Sequence, residues 1–260
     1  MLKTRISSFF LFILLGCSYG LYKPEQNTTF NPGKLHLIYQ DYFFKTKDGV
    51  LLHSWKVQNQ RNEDPKTTII FFHDSNGNIG THLDNLAWLT LYAHDIFIFD
   101  YRGYGKSEGK PDPEGTYLDG LAALNEGVQW GIKRGSKKII VYGQGLGGIV
   151  ATRSLFDFKR QNEISLLVLE SSYDSYSTVS YFQSNKMGTK DILKNFNMPK
   201  LIIHGTRDQE VSYEAAVQMY ENASNPKWFW SVDQGKHLDA YFIQDGKYRK
   251  DFLDFLEHNI

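Results

Sequence analysis

The residues best suited to chemistry in this chain lie in five short segments, each placed directly after an apolar run. The segments combine histidines, carboxylates, hydroxyls and glycines, the groups that acid–base and nucleophilic catalysis use. They are His73-Asp74-Ser75-Asn76-Gly77-Asn78, Asp100-Tyr101-Arg102-Gly103-Tyr104-Gly105-Lys106-Ser107-Glu108-Gly109, Gly143-Gln144-Gly145-Leu146-Gly147-Gly148, His204-Gly205-Thr206-Arg207-Asp208 and Gly235-Lys236-His237. Because no His, Cys, Asp and Glu residues have metal-ligand spacing, the sequence predicts no metal. We expect no other cofactor.

The apolar runs and the stretches between them predict the elements that position these segments. The first five runs are continuous, which is typical of strands buried on both faces of a parallel sheet. The runs cover 68–72, 96–99, 138–142, 166–169, 201–203 and 228–232. Helical patterns cover 82–92, 116–132, 149–158, 212–222 and 248–258. The alternation predicts an α/β fold, a mostly parallel central sheet with helices on both faces.

A hairpin precedes these units. Alternating runs at 35–46 and 50–57 flank Asp48-Gly49, a strong two-residue turn signal. In open α/β sheets, ligands bind at the carboxyl ends of the parallel strands. We therefore expect the five polar segments to gather at that edge.

The five segments, in this order, resemble those of serine-hydrolase members of the α/β-hydrolase superfamily. The resemblance covers residues 35–260 and is nearest to the branch of acyl-protein thioesterases and related short-lid esterases. It implies the α/β-hydrolase fold with a short lid between Glu170 and Lys200. Four aromatic residues in that interval, which are candidates for an acyl pocket, are Tyr173, Tyr176, Tyr181 and Phe182.

The resemblance also assigns roles to individual residues. The family's G-x-S-x-G elbow lifts a nucleophilic serine into the cleft, but here that position is Gly145. The acid corresponds to Asp208, with Asp174 as another position for it, and the base corresponds to His237. Glycine has no atom that attacks a carbonyl, so no acyl-enzyme forms at this position.

The resemblance places the oxyanion hole at the backbone N–H groups of Leu146 and Ser75. Asp74 stands where the family usually has glycine, and its carboxylate opposes the negative charge that develops there. Glycine also relieves the strained backbone of the elbow. The sequence thus predicts a catalytically impaired hydrolase relative, a pseudoenzyme that binds a small acyl ligand or a protein partner at its cleft.

Two other functions stay open. One is an active hydrolase in which His237 and Asp208 activate water directly, or in which the hydroxyl of Ser75 or Ser107 substitutes. The other is an NAD-binding oxidoreductase, because Gly143-x-Gly145-x-x-Gly148 opens a helix and Glu170 ends the next strand. The two βα units before this loop count against the second alternative.

The N-terminus has the pattern of an export signal. Lys3 and Arg5 precede an apolar run at 9–15, which is too short to span a bilayer. The run ends in Leu14-Leu15-Gly16-Cys17, which resembles a bacterial lipobox, and Cys17 is the only cysteine. The pattern predicts a bacterial lipoprotein, attached to the membrane through a lipidated Cys17 and facing the periplasm or the outside. An uncleaved signal or an acylated eukaryotic N-terminus are the alternatives.

Composition completes the predicted organisation. We expect residues 1–16 to be a lipoprotein-type signal peptide, 17–34 a Pro- and Gly-containing tether, and 35–260 one domain, which the resemblance identifies as an α/β-hydrolase domain. Lys+Arg and Asp+Glu balance at 29 each, so no global positive field attracts nucleic acid.

Overall fold

The fold is seen in a computed structural model that describes residues 20–28, 30–61, 63–176 and 188–260. The ten strands of these residues are β1 (Lys23–Pro24), β2 (Tyr39–Lys45), β3 (Leu51–Val57), β4 (Thr67–Phe72), β5 (Asn76–Gly77), β6 (His94–Phe99), β7 (Lys138–Gln144), β8 (Leu166–Glu170), β9 (Lys200–Gly205) and β10 (Lys227–Val232). The helices are α1 (Ile79–His82), α2 (Asp84–Ala87), α3 (Pro113–Lys133), α4 (Leu146–Asp157), α5 (Thr189–Leu193), α6 (Tyr213–Asn222) and α7 (Lys247–Asn259).

Eight of these strands form the main sheet, in the order β10-β9-β8-β7-β4-β6-β3-β2. β2 and β3 are antiparallel and joined by the predicted turn, in which Gly49 has a φ of +88°. β3 also runs antiparallel to β6, and from β6 to β10 every pairing is parallel. The predicted hairpin and the mostly parallel sheet are both confirmed.

Each face of the sheet carries its own core, because successive strand side chains point to opposite faces. Ile70 and Phe72 of β4 face a core that includes side chains of α3, α4 and α6. Ile69 and Phe71 face a second core that includes side chains of α1, α2 and α7. All four β4 side chains are fully buried, as the continuous apolar run predicts.

The prediction of one helix over 82–92 is wrong. The backbone instead forms α1, α2 and a 3₁₀ helix at Trp88–Tyr92, which ends at Ala93 with a φ of +67°. The Asn78 side chain caps α1 by accepting a hydrogen bond from the Gly80 N–H, so helical structure begins earlier than the apolar pattern indicates. α5 has only five residues, too few to give a periodic signal.

The tether predicted for 17–34 is wrong where the structure describes it. Residues 20–28, which we call the N-terminal strap, pack on the domain through the parallel pair β1–β5. Leu21 and Tyr22 are buried, and Tyr22 Oη lies 3.2 Å from Thr116 Oγ1. A segment without periodicity is thus held by backbone pairing and two buried side chains.

The signal peptide and Cys17 lie outside the described residues. Across the described ranges, which begin at residue 20, no helix has both the length and the apolar character needed to cross a bilayer.

Candidate active site

The carboxyl ends of β4, β7, β9 and β10 bring the polar segments together, as the sequence predicts. Gly145 forms the turn between β7 and α4 with a φ of +51° and a ψ of −116°, a conformation that glycine adopts with the least strain. Close packing fixes a second glycine of the turn, because a Cβ on Gly147 would lie 2.1 Å from the Phe72 carbonyl oxygen. The turn therefore has the tight geometry of a strand-to-helix elbow.

His237 and Asp208 meet beside this turn. Asp208 follows β9, and its Oδ2 lies 2.9 Å from His237 Nδ1. Its Oδ1 accepts hydrogen bonds from the N–H groups of Glu210 and Val211. Burial alone would raise the pKa of Asp208, but His237 and these backbone donors outweigh it and hold the pKa at about 2. Asp208 is therefore an anion that orients the imidazole.

Asp74 lies on the other side of the imidazole. Its Oδ2 is 3.6 Å from His237 Nε2, and its Oδ1 accepts a 2.8 Å hydrogen bond from the Leu146 N–H. The neighbouring Ser75 backbone also helps to lower the pKa of Asp74. The Leu146 N–H, one of the two groups that the sequence assigns to an oxyanion hole, thus binds a carboxylate of the chain itself.

The Asp74 carboxylate also occupies the space above the glycine of the elbow. A Cβ built on Gly145 would lie 2.0 Å from Asp74 Oδ1 and 2.4 Å from its carboxyl carbon. Asp74 is only 1% exposed. The place where a nucleophilic side chain belongs is therefore filled by this buried acid.

The loop that carries Asp74 is held from several directions. Tyr101 and Tyr104 donate their hydroxyls to the carbonyls of His73 and Ser75, at 2.9 and 2.6 Å. The N-terminal strap adds a bond from the Lys23 N–H to the same Ser75 carbonyl. Because its backbone is bonded on both sides, the loop fixes where the Asp74 carboxylate points.

The two carboxylates determine the charge of His237. Burial would lower the pKa of its imidazole, but Asp208 and Asp74 outweigh burial and raise that pKa to about 10. In return, the pKa of Asp74 lies below its usual range, because its contacts with His237 and the Leu146 N–H outweigh its burial. At neutral pH the site is therefore a carboxylate–imidazolium–carboxylate array, in which His237 cannot accept a proton.

The other predicted site residues have different surroundings. Asp174 accepts a hydrogen bond from the Lys190 N–H and pairs with the Lys190 ammonium group, whereas Asp208 is the acid bonded to His237 Nδ1. The Ser107 hydroxyl donates to the Asp100 carbonyl and accepts from the His53 N–H, a structural role. Tyr173 lies beside His237, with ring centroids 6.3 Å apart. Tyr181 and Phe182 lie outside the described residues.

The glycine-rich loop also differs from a dinucleotide site. Its Leu146 N–H, which would face a pyrophosphate, is already bonded to Asp74. Glu170 is buried, and its Oε2 accepts hydrogen bonds from Tyr142 Oη and Gln144 Nε2. This geometry argues against NAD binding, because neither the anion site nor the acid is available to a nucleotide.

Within the described residues, no group of three or more His, Cys, Asp and Glu side chains is arranged to hold a metal ion.

The contact between Asp74 and His237 Nε2 is not predicted from the sequence. The signal was present as two departures from one motif set, an acid in the loop after β4 and a glycine at the elbow, but their contact is visible only in three dimensions.

Comparisons with known proteins agree with this architecture. A hydrolase family model described as "Serine aminopeptidase, S33" matches residues 63–182. The chain is 28% identical to "Uncharacterized protein YfhR" of Salmonella typhi, over 95% of this chain and 92% of the relative. It is 27% identical to "Alpha/beta hydrolase domain-containing protein WAV2" of Arabidopsis thaliana, over 87% and 81%.

A solved structure gives the same result for the fold. The Pyrococcus furiosus esterase Pf2001 superposes with a TM-score of 0.74 at 22% identity, covering 91% of this chain and 97% of that one. At 22% identity the similarity shows the fold alone. It confirms the fold class that the sequence predicts.

Proposed function

We propose that this chain, which has the α/β-hydrolase fold, belongs to the α/β-hydrolase superfamily as a catalytically impaired relative of serine ester and thioester hydrolases. The observation that carries the proposal is the position of Asp74. Its carboxylate takes the space of a side chain at residue 145 and accepts the Leu146 N–H, the group assigned to the oxyanion hole. The cleft then serves binding of a small acyl ligand or a protein partner.

Acyl transfer by this superfamily needs three things together. It needs a hydroxyl at the elbow, a neutral histidine that takes its proton, and vacant donors for the oxyanion. Here the elbow residue is Gly145, His237 is protonated at neutral pH, and the Leu146 donor is occupied. Loss of a triad member alone leaves only about 10³–10⁴-fold catalysis over water. The other two changes reduce activity further.

The same charge array disfavours direct activation of water. A general base must be unprotonated at the working pH, and the pKa of His237 is raised to about 10. Moreover, its Nε2 faces the anionic Asp74 at 3.6 Å. A water molecule at this position would meet a proton donor already paired with a carboxylate.

Export and lipidation at Cys17 remain part of the proposal. Their support is the lipobox-like Leu14-Leu15-Gly16-Cys17 after a short apolar run. Metabolic labelling with a fatty-acid analogue tests them, since a Cys17→Ser variant loses the label only if this cysteine carries the lipid.

The experiment for impaired catalysis uses the unmodified protein. It is incubated with a serine-directed fluorophosphonate and, separately, with short-chain p-nitrophenyl esters and acyl thioesters, and is then analysed by intact mass spectrometry. We expect no added mass and no turnover above buffer. A covalent adduct on any residue, or turnover that a His237→Ala variant abolishes, would overturn the proposal.

A further inference from the structure

A cavity of about 730 Å³ lies between the 3₁₀ helix Trp88–Tyr92 and the first turns of α7. Its lining shares no residue with the candidate active site. Its volume falls in the range of small-molecule sites, about 300–1,000 Å³. We infer that this cavity binds a small organic anion with a flat apolar body, such as an aromatic carboxylate.

The walls of the cavity are aromatic and partly open to solvent. Trp88 and Tyr241 form its inner side, and Leu91, Tyr92 and Phe242 form its rim. The three rim residues are 50%, 42% and 46% exposed. Large apolar side chains grouped at one opening, and not scattered singly, are typical of a surface that contacts a ligand. A flat apolar body placed among these rings would cover them.

Arg249 supplies the charge. Its guanidinium lies 5.7 Å from the Trp88 ring and 5.3 Å from the Phe242 ring. Its Nε donates a 2.8 Å hydrogen bond to the Tyr241 carbonyl, which leaves the two terminal nitrogens for other acceptors. A carboxylate matches this planar fork.

The charged residues near Arg249 on α7 form ion pairs with one another. On the same helix Lys247 pairs with Asp251, and Lys250 pairs with Asp254. Over the ranges that the structure describes, Arg249 forms no ion pair, although Asp245 also lines the cavity. Lys250 also lines the cavity but pairs with Asp254, so among the described residues Arg249 is the lining cation without an ion pair.

The cavity is organised before a ligand arrives. Trp88 Nε1 donates to the Asn85 carbonyl at 3.0 Å, and the buried Tyr241 Oη lies 3.1 Å from Tyr142 Oη. Fixed rings and a fixed guanidinium reduce the ordering cost of binding. A membrane surface is the other occupant to consider, but anionic bilayers attract clusters of basic residues. Here Arg249, without an ion pair among the described residues, lies in a concave site beside the paired Lys250, which suits a small molecule.

The test titrates the full chain with 2-naphthoate and with neutral 2-naphthamide, by calorimetry and by tryptophan fluorescence. We expect saturable binding of the naphthoate and binding of the amide weaker by about tenfold or more, since the charge-assisted bond to Arg249 is lost. Equal affinity for both compounds, or no saturable binding of naphthoate at about 10 mM, would overturn the inference.

Variants locate the site. Arg249→Met should weaken naphthoate binding by about tenfold or more. Leu91→Asp, at a half-exposed rim position, should weaken it without disturbing the fold. Arg160→Met removes an arginine that pairs with Glu163 elsewhere and should leave binding unchanged, with circular dichroism melting confirming that each variant is folded. Unchanged binding in the Arg249 and Leu91 variants refutes the assignment. If the protein sedimented with phosphatidylglycerol vesicles and did not bind naphthoate, the rim would be a membrane-binding surface. That result would also refute the inference.

Discussion

Asp74 Oδ1 lies 2.0 Å from the point at which a Cβ on residue 145 would stand. The acid in the loop after β4 and the glycine at the elbow are therefore one structural unit. Asp74 fits only because residue 145 has no side chain, and its carboxylate binds the N–H of the next residue, Leu146. Restoring the family residue at position 74 or at position 145 alone therefore leaves the other departure in place.

The first prediction concerns Gly145→Ser as a single change. We expect a folded but less stable protein without esterase activity, because a serine at a φ of +51° carries about 1–3 kcal/mol of backbone strain and displaces Asp74. Urea denaturation and a p-nitrophenyl ester assay measure the two effects. Gly145→Ala, which adds the Cβ without a hydroxyl, is the matched control and should lose similar stability. Full esterase activity in Gly145→Ser would contradict the coupling.

The second prediction concerns the double variant Asp74→Gly/Gly145→Ser. Removing the carboxylate vacates the Leu146 N–H and leaves His237 with Asp208 as its ion partner at Nδ1. We expect labelling of residue 145 by a fluorophosphonate and measurable ester hydrolysis. Adding His237→Ala should abolish both. A folded double variant without activity would show that residues 74 and 145 alone do not account for the impaired catalysis.

The third prediction concerns the charge of His237. Asp74→Asn keeps the shape of the side chain but removes one of the two anions that raise the pKa of His237 to about 10. We expect that pKa to fall by a unit or more, to about 9 or below, as followed by histidine NMR. His94, whose pKa burial lowers to about 4, is an internal reference and should not move. An unchanged pKa of His237 in Asp74→Asn would show that Asp74 does not contribute to the charge of His237.

The same shift predicts how stability depends on pH. Because the pKa of His237 is higher in the folded chain than the unfolded value of about 6.5, its stabilisation is complete below that pH and is lost as the pH rises towards about 10. Asp208 acts in the opposite sense, since its stabilisation is lost only as the pH falls towards about 2. Denaturation between pH 7 and 10 should show a decline that Asp74→Asn flattens. Equal slopes in both proteins would contradict this.

The fourth prediction concerns the N-terminal strap. Tyr22 is only 4% exposed, and truncation of a buried aromatic side chain costs about 3–5 kcal/mol. We therefore expect Tyr22→Ala to lower the melting temperature strongly. Tyr22→Phe, which removes only the hydroxyl bonded to Thr116, should cost about 1 kcal/mol. A free tether would show no effect in either variant.

Much of the fold follows from patterns that the sequence carries locally. Continuous apolar runs predict β4 and β6 to β9, and Asp48-Gly49 predicts the hairpin turn. The alternation of strands and helices then places His237 and Asp208 at one edge. These predictions succeed because burial on both faces of a sheet and the conformation of a tight turn each require particular residue types within a short segment.

The rest depends on contacts between distant residues. The strap is held by backbone bonds between β1 and β5, which leave no side-chain pattern. The charge of His237 depends on Asp74, which lies 163 positions earlier and contacts it only after the sheet forms. Departures from a motif thus indicate which positions have changed, whereas the partner that takes over the vacated space must be found in the structure.

The bond from the Lys23 N–H to the Ser75 carbonyl connects the start of the folded domain to the candidate active site. β1 ends next to the loop that carries Asp74, so proteolysis past Pro24 would remove one of the hydrogen bonds that hold this loop. A form of the protein shortened past Pro24 would therefore differ in its cleft as well as in its length.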